Sequence, residues 1–338
     1  MWYNIKNRNN EGEVKLMKVT IKEIAIDAGV SVSTVSRVIS NNPKISEVTK
    51  EKVRESIERL NYKPNIMARG LVKRKTGIIG VIMPKEGINL FSSPFFIEVM
   101  QGISLKGKEE DYYVMYDFCK NEKEEYEGTK KLVESGLVDG LCLMSTRKDD
   151  KSIKYLKDRN FPFVIIGEPE EKDDILWVDN NNLKATYDMV KKIMFEKNNE
   201  IIFVGGDKDL TVTINRVEGF KKACDELKLN HSIYLGKDFS REEGCRLAKE
   251  IFSSKNCNNF IISDDNLLKG FLEYLEKNNI LNINIGSFNK TKLKNLWKDK
   301  IFLLDIKPEK LGIEAVNLLV NNINGKIQIN NKVVDIEL

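Results

Sequence analysis

Within "GVSVSTVSRVISNN", Gly29 to Asn42, four short hydroxyl side chains and one guanidinium crowd together: Ser31, Ser33, Thr34, Ser36 and Arg37. Hydroxyls of this kind exchange hydrogen bonds with phosphate oxygens at close range. An arginine offers two parallel N–H donors that match O6 and N7 of guanine in the major groove. Short neighbours let it come close to a base edge, whereas a helix face selected for solubility alone would carry glutamate and lysine. These types at this spacing suit contact with the edges and backbone of a duplex.

Such contacts need rigid support, and the flanking residues supply it. Thr20 with Glu23 three residues later reads as a capping box, and Ile21, Ile24, Ala25 and Ala28 recur at helical spacing, which predicts a short helix over 21–28. Gly29 permits a tight turn. Ser31 caps a second helix that buries Val35, Val38 and Ile39 and turns Val32, Ser33, Ser36 and Arg37 outward. Ser46 caps a third, over 47–60, with Val48, Val53, Ile57 and Leu60 expected inward. Three short helices on one small core, the first two joined by a glycine turn, describe a helix-turn-helix unit.

Charge agrees with that reading. Residues 1–76 hold 16 Lys+Arg against 8 Asp+Glu, while the remaining 262 hold 39 against 43. A basic head on a mildly acidic body suggests a nucleic-acid-binding segment attached to a domain with another task.

Other chemistries find little support. The five cysteines (Cys119, Cys142, Cys224, Cys245, Cys257) have no metal-ligand spacing and read as core hydrophobes of a reducing compartment. The single histidine, His231, is placed in a surface loop. "GISLKGKE", Gly102–Glu109, nearly spells a phosphate-binding loop but ends in glutamate and falls inside a helical pattern; Gly205-Gly206 lacks dinucleotide-binding spacing, and no nucleophile elbow is present. No metal site, cofactor or catalytic set is therefore expected. No apolar run reaches the length of a membrane span, and the first 17 residues lack a secretory core, so the chain is expected in the cytoplasm.

After Thr76 short apolar runs ("GIIGVIM", "YYVMYDF", "VDGLCLM", "FPFVIIG", "EIIFVGG", "NNFIISDD", "NINIGSF", "IFLLDI") alternate with amphipathic helices. That alternation predicts parallel sheets covered on both faces, in sufficient quantity for two, with ligands outside the carboxyl ends of the strands.

The stretch "VTIKEIAIDAGVSVSTVSRVISNN…ISEVTKEKV…LNYKPNIMARGL" closely resembles the head and hinge of the LacI family of transcriptional repressors, and the likeness continues along essentially the whole chain. The resemblance implies an all-α helix-turn-helix head (17–63), a hinge helix and linker (64–76), and a periplasmic-binding-protein-like α/β body (77–338) of two doubly wound parallel-sheet subdomains that binds effector and dimerises. It implies that Val32, Ser33 and Arg37 read an operator and that Thr20, Ser31, Thr34, Ser36 and Thr49 contact phosphates. Residues 65–71 would fold into a helix on DNA, with Asn65 and Ala68 among the contacts and Leu71 wedged into the minor groove; without the resemblance, Lys73-Arg74-Lys75 would read as a flexible basic linker.

In the body, Phe95 and Phe96 match the first cleft loop, Arg216 an arginine that grips ligand hydroxyls, and Asp264, Asp265 and Asn289 polar ligand-facing positions, the last commonly aspartate. Taken singly, Arg216 could be a surface ion pair, Asp264 or Asp265 a helix cap, and Phe96 core; together, after strand ends, they favour a cleft. The crossovers between subdomains are drawn near 166–178, 287–291 and 321–331. Within the family, "GVIMP…SPFFIEVMQGIS", "LMSTRKDD" and "LLDIKPEKLGIEAV" resemble the maltose operon repressors of low-GC Gram-positive bacteria, which implies a maltose or maltodextrin effector.

A recognition helix reads a half-site, so a homodimer on a pseudo-palindromic operator is expected. No leucine heptads follow the last predicted strand, and no tetramer is expected. The leader 1–16 has no counterpart in the family; Glu11-Gly12-Glu13 could be encoded by a ribosome-binding sequence, and translation from Met17 is expected. A sugar-binding transport receptor would instead show an export signal and no basic head, and a sugar-processing enzyme a catalytic set. Activation or corepression in place of induction remains open at this level.

Overall fold

The computed structural model describes residues 19–40, 42–62, 75–85, 93–194, 200–289, 295–326 and 331–336. The leader, Met17 and the hinge positions Asn65, Ala68 and Leu71 lie outside the described residues. The chain divides into two units, Met1–Thr76 and Gly77–Leu338.

In the first unit, α1 (Ile21–Asp27), α2 (Val32–Ile39) and α3 (Glu47–Arg59) enclose Ile24, Ala25, Val35, Val38 and Val53. Local signals place all three helices. The Glu23 carboxylate accepts from the Thr20 N–H at 2.6 Å, and the Ser31 and Ser46 hydroxyls accept from the Thr34 and Thr49 N–H groups at 3.1 and 3.3 Å. Gly29 turns the chain at φ +66°, and Asp27 joins Arg59 across the bundle at 2.5 Å. The inward placement expected for Val48 is overturned: it is 70% exposed. At 100° per residue, Val53, Ile57 and Leu60 share one stripe of α3 with Lys50, and Val48 lies roughly 140° from Val53. Lys50 is the residue that is buried there, its ammonium on Glu47 at 2.6 Å.

The second unit holds two wholly parallel sheets. The first is ordered β11-β5-β4-β3-β1-β2, from β1 (Ile78–Met83), β2 (Tyr113–Phe118), β3 (Gly140–Leu143), β4 (Phe163–Ile166), β5 (Leu176–Asp179) and β11 (Asn331–Val333). The second is ordered β10-β9-β8-β6-β7, from β6 (Ile201–Gly205), β7 (His231–Leu235), β8 (Asn259–Ile262), β9 (Asn284–Phe288) and β10 (Ile301–Leu304). Central strands are buried throughout, as parallel strands between helices require.

Helices α4 (Pro94–Glu109) and α11 (Pro308–Ile323) cover one face of the first sheet, α5 (Glu122–Ser135) and α6 (Lys151–Asp158) the other. On the second sheet the two faces belong to α7 (Asn182–Ile193) with α8 (Thr211–Leu227), and to α9 (Arg241–Ser254) with α10 (Asp265–Lys277). Three of these pairs cross at glycine. A Cβ at Gly102 would strike the Glu309 carbonyl, one at Gly219 the Leu183 carbonyl, and one at Gly270 the Arg241 carbonyl. Gly102 thus serves helix packing, and "GISLKGKE" lies wholly within α4.

The crossovers fall later than expected. β5 still belongs to the first sheet and α7 packs on the second, so the first crossing is at 180–182. β10 extends the second sheet before α11 returns to the first, placing the next near 305–307. β11 rejoins the first sheet, and the chain then passes from Val334 in one core to Ile336 against the other. The first two crossings are delayed by β5 and β10, each of which joins its sheet before the chain leaves it, and the third by β11, an edge strand that no apolar run announces. His231 is likewise not in a loop: it opens the edge strand β7, where it is exposed and its ring meets Phe220 edge-on.

Candidate functional site

On the head, the positions expected to touch phosphate gather at helix starts. Thr20 precedes α1, Ser31 and Thr34 occupy the first turn of α2, and Thr49 that of α3. Free N–H groups and the helix dipole favour anions there; Ser36 alone sits mid-helix. Ser33 and Arg37 are exposed and Ser36 half-buried, on the face of α2 opposite Val35 and Val38. The Ser31 hydroxyl lies 2.8 Å from those of both Ser33 and Thr34, so the first turn of α2 is held by its own hydroxyl cluster.

In the body, a cavity of about 120 Å³ lies between the carboxyl ends of the two sheets. Phe95, Phe96, Arg216, Asp264 and Asn289 line it. Asp265 does not: it is the first residue of α10, fully buried, and its carboxylate takes Lys269 at 2.8 Å. Asp264 is the cap of that helix, accepting from the Asn266 and Leu267 N–H groups at 2.7 and 3.3 Å, and one position along the chain decides which carboxylate meets the cavity. Phe96 belongs to the core of the first subdomain as well as to the cavity wall, with Phe95 edge-on to it at 5.2 Å.

Arg216 is no surface ion pair. It is 6% exposed, Nε donates to Asn182 Oδ1 at 2.9 Å, Nη1 donates to the Ser263 carbonyl, and the guanidinium lies 3.7 Å from the Phe288 ring centre. Burial pulls its pKa down to about 10 against the opposing pull of Asp179 and Asp264. Asp179 ends β5 and accepts from the N–H groups of Glu168 and Asn180 and from Asn182 Nδ2. Burial nevertheless pushes Asp179 up to about 6; burial, then Asp265 beside it, pushes Asp264 up to about 7.

Both carboxyls bind protons more tightly folded than unfolded, so their contribution to stability is complete below about pH 4 and is lost as pH rises through about 6 and 7. In urea unfolding across that window, Asp179→Asn is expected to flatten the fall of the midpoint with rising pH. Parallel wild-type and mutant curves would refute this.

Several lining residues carry no motif: Ser93, Thr146, Asp179, Asn180, Phe239 and Asn266. Asp179-Asn180 could have been found from their place at a strand's carboxyl end; Thr146 and Phe239 are brought in only by the fold. Two buried polar atoms at this cavity, Thr146 Oγ1 and Asn289 Oδ1, have no hydrogen-bond partner among the described residues. Such atoms cost free energy when left unpaired and mark where a polar ligand would bond. Asn289 holds φ +71°, a conformation asparagine tolerates better than most residues. Backbone also joins the two lobes beside the cavity: Thr211 N–H donates to the Thr146 carbonyl and Lys148 N–H to that of Asp209, both at 3.1 Å. Asn180 Nδ2 donates to the carbonyls of Ile306 (3.1 Å) and Val334 (2.9 Å), so one side chain ties all three crossovers.

Among the described residues no group of His, Cys, Asp and Glu is placed to hold a metal ion, and no helix is long and apolar enough to cross a membrane. Cys119, Cys142, Cys224 and Cys257 are buried free thiols and Cys245 is half-buried.

A helix-turn-helix head followed by a two-lobed, cleft-bearing parallel α/β body defines a ligand-binding class of DNA-binding regulator. Residues 20–65 match the model for "Bacterial regulatory proteins, lacI family" and residues 76–336 that for "Periplasmic binding proteins and sugar binding domain of LacI family". The HTH-type transcriptional regulator MalR of Streptococcus pneumoniae serotype 4 is 33% identical over 93% of this chain and 96% of its own. A LacI transcriptional regulator from Bacillus cereus subsp. cytotoxis superposes with TM-score 0.72 at 30% identity, over 77% of this chain and 95% of its own. The lac repressor dimer, solved bound to operator and an anti-inducer, shares the fold at TM-score 0.81 and 18% identity, over 95% of this chain and 97% of its own. The chain belongs to the LacI family of DNA-binding transcriptional regulators.

Proposed function

We propose that this regulator is a homodimeric, cytoplasmic repressor of carbohydrate-utilisation genes, bound to a pseudo-palindromic operator and released by maltose or a maltodextrin. One observation carries the sugar: buried Arg216, under the electrostatic pull of Asp179 and Asp264, lines one cavity with Asn289 and Thr146, whose Oδ1 and Oγ1 lack a hydrogen-bond partner among the described residues, and with Phe95, Phe96 and Phe239. Hydroxyls placed among such donors and acceptors satisfy both, while aromatic rings cover the apolar faces of a pyranose. The resemblance of the sequence to maltose operon repressors, together with its likeness to the MalR regulator, supports the choice of maltose. In the head, Val32, Ser33 and Arg37 read bases, Thr20, Ser31, Thr34, Ser36 and Thr49 hold phosphates, and Asn65, Ala68 and Leu71 form the hinge contacts. In the body, Phe95, Phe96, Arg216, Asp264 and Asn289 contact the sugar, and Asp265, turned to Lys269, is left out of the contact set.

Dimerisation is supported by the open edge of the first sheet, where Tyr113, Met115 and Phe118 of β2 are exposed near Ile97 and Leu105 of α4. Effector acts by preferring the conformation that binds DNA less well, and a coupling of about 1–3 kcal/mol weakens operator binding roughly 5–150-fold.

The test is fluorescence anisotropy of a labelled operator from the gene's own upstream region, at fixed salt, with maltose, maltotriose or glucose. Release by maltose or maltotriose and not by glucose is expected. Tight binding indifferent to all three discards the effector; equal affinity for operator and scrambled DNA discards the repressor.

A further inference from the structure

One side chain on the reading face of the head is there for neither solubility nor helix stability. Val32 is the first residue of α2 and 41% exposed. Valine is a weak helix former, and the first turn favours acidic or capping side chains. It takes no part in the core of the head, which Val35, Val38, Ile24, Ala25 and Val53 build. At 100° per residue, Val32, Ser36, Ser33 and Arg37 follow one another around an outward arc of roughly 140°. The hydroxyl of Ser33 is engaged with that of Ser31 at 2.8 Å. Arg37 is exposed, and no ion pair holds it among the described residues. An apolar group and a cation therefore stand at the two borders of the arc.

We infer that Val32 packs against the C5-methyl group of a thymine in the major groove and fixes that base in each operator half-site. This rests on the DNA-reading role proposed above for α2. Thymine alone among the four bases offers a methyl group in that groove, and cytosine offers there an amino donor that a valine cannot accept. Selection is thus double: the methyl gains an apolar neighbour, and the wrong pyrimidine strands a donor. Arg37, at the far border, takes a different base of the same half-site.

Sites are first selected from random duplexes with the full chain, and each thymine of the selected site is then replaced singly by deoxyuridine, which lacks only the methyl. Anisotropy is read at fixed salt for wild type and Val32→Ser, a change outside the core of the head. One thymine per half-site is expected at which uracil weakens wild type about fourfold, the worth of one buried methyl, and leaves V32S unchanged. At that position 5-methylcytosine is expected to bind wild type more tightly than cytosine. A selected site at which no uracil separates wild type from V32S overturns the inference and leaves the repressor reading standing. Failure to select any sequence overturns both.

Discussion

Arg216→Ala is expected to abolish the response to effector while operator binding without effector stays near wild type. The guanidinium donates to Asn182 and Ser263, lies on Phe288 and stands between two carboxyls whose burial already raises their pKa. Charge-assisted hydrogen bonds to ligand hydroxyls contribute about 1.5–3 kcal/mol each. Losing one or two shifts the effector concentration needed for release by roughly 100-fold or more. The same truncation leaves Asp179 and Asp264 without their neighbouring cation and lowers the stability of the body by about 3 kcal/mol. Effector titrations of the operator complex and urea unfolding give the two readouts. Arg216→Lys keeps the charge but not the fork, so stability recovers more than response does. A wild-type effector response in R216A would rule out the cleft as the sugar site.

The second large effect is expected at Asn180. Its amide group donates to two buried carbonyls, Ile306 and Val334, on the two other crossovers. Asn180→Ala strands both, at about 1–3 kcal/mol each, so a loss of about 2–5 kcal/mol in urea unfolding is expected. Asn180→Asp, nearly isosteric, turns a carboxylate oxygen toward those carbonyls and is no better tolerated. A loss below about 0.5 kcal/mol in N180A, the range of ordinary surface substitutions, would mean that water replaces the amide and the tie is dispensable.

The head was legible because its instructions are local. Caps at Thr20, Ser31 and Ser46, a glycine at the turn and a 3.6-residue apolar period suffice to place three helices. Val48 misleads because an apolar residue near a helix start resembles a core position until its angle from Val53 is worked out. In the body, strands buried on both faces announce themselves as apolar runs. β7 and β11 do not, since edge strands need only half a buried face or none. Of the three crossovers only the last follows such a strand, β11; the first two were displaced because β5 and β10 stay with the sheet they close. Asp264 and Asp265 pose a question of register: only the start of α10 decides that the first caps the helix at the cavity and the second turns inward to Lys269. Thr146 owes its place to a contact across 65 residues of chain, and although Asn180 could be placed at a strand's end, the bonds that make it a tie between crossovers span 126 and 154 residues, which no local pattern encodes.

The glycine crossings carry a mechanical consequence. Where backbones touch at Gly102, Gly219 and Gly270, a helix cannot slide along its neighbour without driving carbonyl into carbon. Each lobe is therefore stiff against shear and moves as one body. Because Asn180 and Ile306 belong both to the connectors and to the cavity lining, a ligand in the cleft bears directly on the joint between two rigid halves, and what it can turn is the angle between them.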